Sequence, residues 1–317
     1  MLRSFFPRAD LTGMMIQRAT KIEDFGAVAL FPFLDVKVIS DQFAKLAKGR
    51  AHRKYATLKR PGSAASRSFG ELESDNFTCK QHMHDEEIDN GEAAIIAAQV
   101  DYRRIAAENV LFILMRDLNA EILGQIINNT NFPLSGNTGA TVGAAWNSAG
   151  GTPHTDINTA LEAFRARGAP KPDTLLIGEK AFDNLALNPE IIDRISAVSD
   201  MVVNPRFDEI TMAKSLGLKR VVVDRSRVNT APDGSTVVLS PQLGVGDAFL
   251  AVTSQAPTFL DWQLGRTAMW DGKTGGRFAF GMYGENAIDA DLVRGEAWWV
   301  AKLLSADCGY RFAGVAA

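Results

Sequence analysis

The stretch from Glu92 to Asn128 constrains this chain more than any other part of it. It contains no proline, and no glycine before Gly124. Apolar residues recur at Ile96, Val100, Ala107, Leu111, Leu114, Leu118, Ile122 and Ile126, the spacing of one face of a helix. Arg103, Arg104, Glu108, Arg116, Asp117 and Glu121 are expected on the opposite side. At a rise of 1.5 Å per residue the helix would be about 50 Å long, well beyond the usual globular length. Asn109–Met115 is apolar nearly all round, so its middle needs cover on several sides. That cover must come from the rest of the chain or from a neighbouring subunit.

The 317 residues suffice for one large or two ordinary domains, and 46% hydrophobic with 22% charged residues is globular composition. The net charge of −3 gives no bulk affinity for nucleic acid or membrane, but its distribution is uneven. Residues 1–60 hold twelve Lys/Arg against five acids, a local charge of +7. A basic arm on an acidic body predicts contact with something acidic, either a sister subunit or nucleic acid. Cys79 and Cys308 lie far apart, so no disulfide framework is expected and a reducing compartment fits. No run of 18 apolar residues occurs, so no membrane-spanning helix is expected.

Residues 1–50 show only short apolar pieces (Met14–Ile16, Val28–Phe33, Val36–Ile39), with a brief helix expected over Asp41–Lys48. This reads as an extended arm without a core of its own. Residues 51–90 read as a long two-stranded loop, with strands near Tyr55–Leu58, Ser66–Glu71 and Asn76–His82 and a turn at Arg60-Pro61-Gly62-Ser63. Asp89 or Asn90 would cap the long helix, and Asn128–Thr130 with Pro133 would end it. Residues 131–151 form a glycine-, serine- and asparagine-rich connector.

Residues 152–253 read as a compact α/β unit. Thr155 caps a helix with the face Ile157, Leu161 and Phe164, closed by Gly168. Asp173–Ile177 is a buried strand, Glu179–Leu187, Pro189–Val198 and Ile210–Leu216 are helices, and Gly217 ends the last. Lys219–Asp224, Val237–Ser240 and Ala248–Thr253 read as strands. Beyond Gln255, Thr258–Trp262, Arg277–Tyr283 and Gly295–Leu303 alternate with period two, and Ala297, Trp299, Ala301 and Leu303 form one apolar face. Asp307–Val315 is a final strand.

Motifs for chemistry are missing. Cys79, His82 and His84, followed by Asp85, Glu86 and Glu87, are metal-capable side chains, but Cys-x-x-His-x-His is not a standard zinc spacing and no second pair completes it. Gly244-Val-Gly246 lacks the third glycine and following helix of a dinucleotide fingerprint. No P-loop or Gly-x-Ser-x-Gly elbow occurs, and Glu179 with Asp183 reads as a solvated helix face. No catalytic, cofactor-binding or metal residues are assigned. Lys45, Lys48, Arg50, Lys54, Lys59 and Arg60 are the candidates for contact with a neighbour; only Tyr55 interleaves them, a poor pattern for stacking bases.

The order of parts is a basic arm, a long two-stranded loop, one very long helix, a glycine-rich connector, a compact α/β unit and late strands. In this order the chain resembles the major capsid proteins of tailed bacteriophages, which have the Hong Kong 97-like α+β fold. His154-Thr-Asp-Ile-Asn-Thr-Ala-Leu-Glu-Ala-Phe164 behind Trp146, Pro172-Asp-Thr-Leu-Leu-Ile-Gly178, Asn188-Pro-Glu-Ile-Ile192 and Met212–Asp224 resemble segments of the family's axial (A) domain. The resemblance implies an N-arm over 1–50, an E-loop over 51–90 and a peripheral (P) domain with its spine helix over 91–145. It implies an A-domain over 146–254, returning P-domain strands over 255–305 and a C-terminal A-domain strand over 306–317.

It further implies a subunit that assembles with itself, as hexamers and pentamers, into an icosahedral head around packaged DNA held by non-specific contact, in a virion assembled in the host cytoplasm. Portal and decoration proteins are implied partners, and membranes are not. The long helix starts too early for the family's preceding scaffolding segment, which implies a separate scaffold or none. Lysine–asparagine crosslinking, known in some members, is not assigned. Two alternatives stay open: an encapsulin-type shell around a cargo enzyme, and an α/β enzyme or ligand-binding protein built on 152–253.

Overall fold

The computed structural model describes residues 24–46, 72–89, 102–148, 150–198, 208–232, 235–254, 256, 258–272, 276–285 and 290–316. In chain order a 3-10 turn (Gly26–Leu30) leads into β1 (Phe33–Val36), β2 (Ser40–Leu46), β3 (Leu72–Thr78), β4 (Lys80–Asp89) and α1 (Tyr102–Ile126). Next come β5 (Gly139–Thr141), α2 (Pro153–Arg167), β6 (Thr174–Gly178), α3 (Glu179–Ala186), α4 (Pro189–Val198) and α5 (Glu209–Leu216). β7 (Arg220–Asp224), β8 (Arg227–Asn229), β9 (Leu239–Pro241), β10 (Asp247–Ala251), β11 (Gly265–Trp270), β12 (Ala279–Glu285), β13 (Ala290–Leu303) and β14 (Gly309–Ala313) complete the order. They build two five-stranded sheets. The first runs β1-β11-β13-β12, with β4 also paired to β13, and the second runs β5-β14-β10-β6-β7.

Helix α1 lies across the first sheet. Every described position of its expected apolar face is buried: Ala107, Leu111, Leu114, Leu118, Ile122 and Ile126. Its 25 described residues span about 38 Å; Ile96 and Val100 lie outside the described residues. The helix can settle on β13 because Gly295 has no side chain there. A Cβ at that position would stand 2.4 Å from Val110 Cγ1 and 2.9 Å from Phe280 Cε1.

The charged side of α1 is less solvated than the sequence implies. Glu121 turns under the helix, where its carboxylate accepts from Trp299 Nε1 (2.8 Å) and from the Ala301 amide (3.1 Å). Gln125 Nε2 donates to the Ala301 carbonyl at 2.6 Å. His82 stacks on Trp299 with ring centroids 3.8 Å apart and shares a 2.6 Å hydrogen bond with Asp117. These groups fix the helix in rotation as well as in place.

The second sheet carries the helices of the α/β unit. β6 is buried at all five positions and pairs parallel with β7 and antiparallel with β10. Gly168 and Gly217 end α2 and α5 in the left-handed region, with φ of 70° and 68°, as the sequence predicts. The cap of α2 is Thr152 rather than Thr155, with Pro153 in the first turn. Trp146 is fully buried, its indole donating to Asp156 at 2.8 Å while Asn188 Nδ2 holds its carbonyl at 2.6 Å.

Several expectations need correction. The described part of the helix expected over Asp41–Lys48 is not helical: Ser40–Leu46 is a strand, paired residue by residue with Leu72–Thr78. The two-stranded loop therefore already runs from Ser40, its connection 47–71 lies outside the described residues, and Lys80–Asp89 joins the first sheet instead. Asp89 is the last residue of a strand, and Asn90 and the start of the long helix lie outside the described residues. Thr258–Trp262 is not a strand; the strand begins at Gly265.

The largest correction concerns the amino-terminal arm, whose residues 25–31 pack into the core. The 3-10 turn packs between α1 on one side and β6 and β7 on the other. Ala27, Leu30 and Phe31 are completely buried. Gly26 approaches so closely that a Cβ would meet Leu176 Cδ1 at 2.8 Å and the Asp224 Cα at 3.0 Å. Asn119 Oδ1 accepts from the Ala27 amide at 3.1 Å, and Arg220 Nη2 donates to the Ala29 carbonyl at 2.9 Å. β1 then adds in parallel to β11, and Thr267 Oγ1 donates to the Phe31 carbonyl at 3.0 Å. Residues 24–36 thus form a wedge touching the helix and both sheets.

Leu111→Ala should lower unfolding stability by about 2–5 kcal/mol in a urea titration, since it leaves a void between helix and sheet. Ile113→Ala, at a partly buried position, should cost less.

Candidate assembly surfaces

The surfaces that the described residues present, and the rigidity with which they are held, are the candidates for function. The most prominent is the β2–β3 hairpin. Each strand has one large aromatic near its root, Phe43 and Phe77, and both turn inward against Phe259 with centroid distances of 4.3 and 5.7 Å. Cys79, Ala268 and Leu304 complete this small apolar cluster on the face of the first sheet opposite α1. Beside it Asp75 accepts from Lys302 Nζ at 2.9 Å, tying β3 to β13. Burial pushes the Asp75 carboxyl up, but the bonds and charges of Lys302 and Lys45 and the Asn76 amide outweigh it and hold it below its usual value. The root of the hairpin is therefore fixed by this chain itself.

Of the predicted contact cations, Lys45 is described: its ammonium lies 3.6 Å from Glu73 and 3.7 Å from Asp75, across the hairpin. Lys48, Arg50, Lys54, Lys59 and Arg60 lie outside the described residues.

A second anchored group lies on the same outer face of the sheet. Arg294 forms a bidentate pair with the Asp85 carboxylate, stacks over the Tyr283 ring at 4.9 Å, and donates to the Tyr283 hydroxyl at 2.9 Å. Tyr283 Oη donates to Asp85 at 2.8 Å. Burial raises the Asp85 carboxyl, yet the hydrogen bonds from Arg294 and Tyr283 and the guanidinium charge prevail and keep it below the ordinary range. The metal-capable run is dispersed by strand alternation: Asp85 goes to Arg294, His82 to Asp117 and Glu86 to Asn109. Cys79 Sγ faces the Ala268 carbonyl at 3.7 Å. Among the described residues no group of three or more His, Cys, Asp or Glu could hold a metal. Burial pushes the Cys79 thiol up to about 11 and the Cys308 thiol up to about 12, so both side chains are packing groups rather than nucleophiles.

The α/β unit exposes apolar side chains that the sequence reading did not single out. Leu187 after α3 is 70% exposed and Ile210 on α5 65%. Val237, Val238 and Leu239 stand out on the β8–β9 hairpin. Two cavities, of about 200 and 250 Å³, lie beside Asp224 and under the β2–β3 hairpin, and no recognisable nucleophile–base pair lines either. Among the described residues no helix is long and apolar enough to cross a membrane.

No family model matches the sequence, and no curated protein matches it. Solved structures do match. A phage-related protein of Bordetella bronchiseptica superposes with a TM-score of 0.74 at 18% identity, covering 99% of each chain. The capsid of the cyanophage P-SCSP1u matches with a TM-score of 0.56 at 13% identity over 91% of this chain and 87% of that one. The chain has the Hong Kong 97-like capsid fold. The SrpI encapsulin of Synechococcus elongatus also matches, with a TM-score of 0.52 at 10% identity over 94% and 89% of the two chains.

The Asp85 group predicts a pH response. A carboxyl held low in the folded state contributes stability above its ordinary value that is lost as pH falls through the folded value. Urea midpoints should fall on acidification in the wild type and fall less in Asp85→Asn, which starts lower at neutral pH. Parallel midpoint curves would contradict this.

Proposed function

We propose that this chain is a shell subunit that assembles with copies of itself, as hexamers and pentamers, into the icosahedral head of a tailed bacteriophage enclosing packaged double-stranded DNA. The observation that carries the reading is the shared course of nearly the entire chain with a phage-related protein and a phage capsid. The side-chain chemistry supports it, because the polar groups of the sheet faces are spent on holding elements at fixed angles rather than on a pocket. We assign the first sheet with α1 to the peripheral domain, the second sheet with α2–α5 to the axial domain, and the β2–β3 hairpin to the reaching loop. On this reading the protein is not an enzyme; it belongs to the virion, and scaffold, portal and decoration proteins are its further partners.

A second reading, an encapsulin-type shell around a cargo enzyme, is favoured by the likeness to the SrpI encapsulin. Electron microscopy of the purified chain, with any cognate scaffold supplied, should show closed shells. A protein that stays monomeric under those conditions overturns both readings. Nucleic acid inside shells isolated from infected or induced cells supports the phage head, and a co-purifying enzyme supports the encapsulin.

Replacing Lys48, Arg50, Lys54, Lys59 and Arg60 together by glutamine should weaken assembly if the basic segment meets acidic neighbours. Raising salt should then weaken wild-type assembly more than that of the variant, because exposed charge pairs are screened. Light scattering would read both, and equal salt sensitivity would reject the pairing.

A further inference from the structure

The wedge rests on a buried carboxylate. Asp224, at the end of β7, is 2% exposed, and its hydrogen bonds come from neutral groups. Its Oδ1 accepts from the Ser226 amide at 2.9 Å, its Oδ2 from Asn119 Nδ2 at 3.2 Å, and the Gly26 amide of the wedge donates to it as well. Asn119, the one fully buried polar residue of α1 among those described, accepts from the wedge through Oδ1 and donates to Ser226 Oγ and Gln242 Oε1 at 3.0 and 2.9 Å. Gln242 in turn donates to the Arg116 carbonyl at 3.1 Å.

Three nearby arginines are held by other groups. Arg225 pairs with Glu209 at 2.9 Å, Arg227 pairs with Glu179 at 2.7 Å, and Arg220 holds the Ala29 carbonyl and Thr174 Oγ1. Lys180 and Glu179 line the cavity of about 200 Å³ beside Asp224. Asp24 contributes its carbonyl, which accepts from the Arg225 amide at 3.0 Å.

We propose that Asp24–Phe31 is a strap whose seating between α1 and the second sheet is set by the charge of Asp224: seated while the carboxyl is neutral, loosened as it ionises. The lid over Asp224 is the wedge itself, since Gly26 packs against its backbone and donates to its side chain. Lifting the strap therefore exposes the carboxyl to water, and closing it takes the carboxyl out of water. Burial pushes the seated carboxyl above its usual range, and the hydrogen bonds from Ser226, Asn119 and Gly26 offset this only in part. For a carboxyl raised in the closed form, the extra stability of closure is fully present below the ordinary value, about 3.9, and is lost as pH rises through the raised one. The strap leads into β1 and on to the root of the β2–β3 hairpin, so its seating couples the two sheets to the element that reaches outward.

Hydrogen exchange at the Ala27 amide, held by Asn119, reads the seat directly. The full-length chain is compared with Asp224→Asn between about pH 4 and pH 8, corrected for the intrinsic pH dependence of exchange. In the wild type, local opening should increase by up to about tenfold per pH unit between the ordinary and the raised value. Asp224→Asn, which mimics the neutral acid, should stay protected with no such slope. The same slope in both proteins, or a strap open at every pH in the variant, overturns the proposal. Gly26→Ala provides a second check, because its Cβ forces the strap out: the slope must vanish there with Ala27 exchanging fast throughout. Global unfolding in urea, measured alongside, separates strap opening from loss of the fold, and none of these readings depends on shell assembly.

Discussion

A long helix whose middle is apolar well beyond one face must be covered on more than one side, and α1 obtains its cover from two sources far apart in sequence. The first sheet lies under one flank, brought within reach by the absent side chain of Gly295. Residues 24–31 cover the other, with Phe25 6.2 Å from Phe112. Remove either and several fully buried aliphatic groups meet water, at about 25 cal/mol per Å² of apolar surface. The placement of both sheets follows from this requirement. The first is held directly to the helix, and the second through the wedge, with Asn119 as the polar pin that sets register in an otherwise non-directional contact.

The sequence made the α/β unit readable because its signals are local. Thr174–Gly178 is an uninterrupted buried run, and Gly168 and Gly217 mark helix ends by a conformation that favours glycine. The same local rules hid other elements. β11 begins with Gly265-Arg266, and an arginine reads as outward, yet Arg266 is 1% exposed with its guanidinium donating to the Ala256 carbonyl. β2 and β3 carry mostly polar residues, so Phe43 and Phe77, one aromatic per strand, were their only hint of an inward face. The wedge was read as an arm because its apolar run is too short to show a period. Its burial is decided by residues 90 to 240 positions further on.

The candidate surfaces divide in the same way. The excess of cations near the amino terminus can be counted from the sequence. That Lys45 lies beside the acids of the partner strand depends on the β2–β3 register, which no pattern announced. Asp85 and Arg294 are 209 positions apart and meet only because β4 pairs with β13. Long-range strand pairing is where sequence patterns stop being informative, and here it makes both the hairpin anchor and the sheet-face ion pair.

β13 has one more consequence. Along Ala290–Glu296 it is bonded to β12 on one edge and β4 on the other, and along Trp299–Leu303 to β11. Tension along such a strand loads many ladder bonds side by side rather than one after another. They must fail together, so the strand resists as a riveted seam does. A tug on the β2–β3 hairpin, in contrast, would open its pairs one at a time. The protein is thus mechanically anisotropic, stiff along the sheet that carries its longest helix and compliant in the element that projects from it.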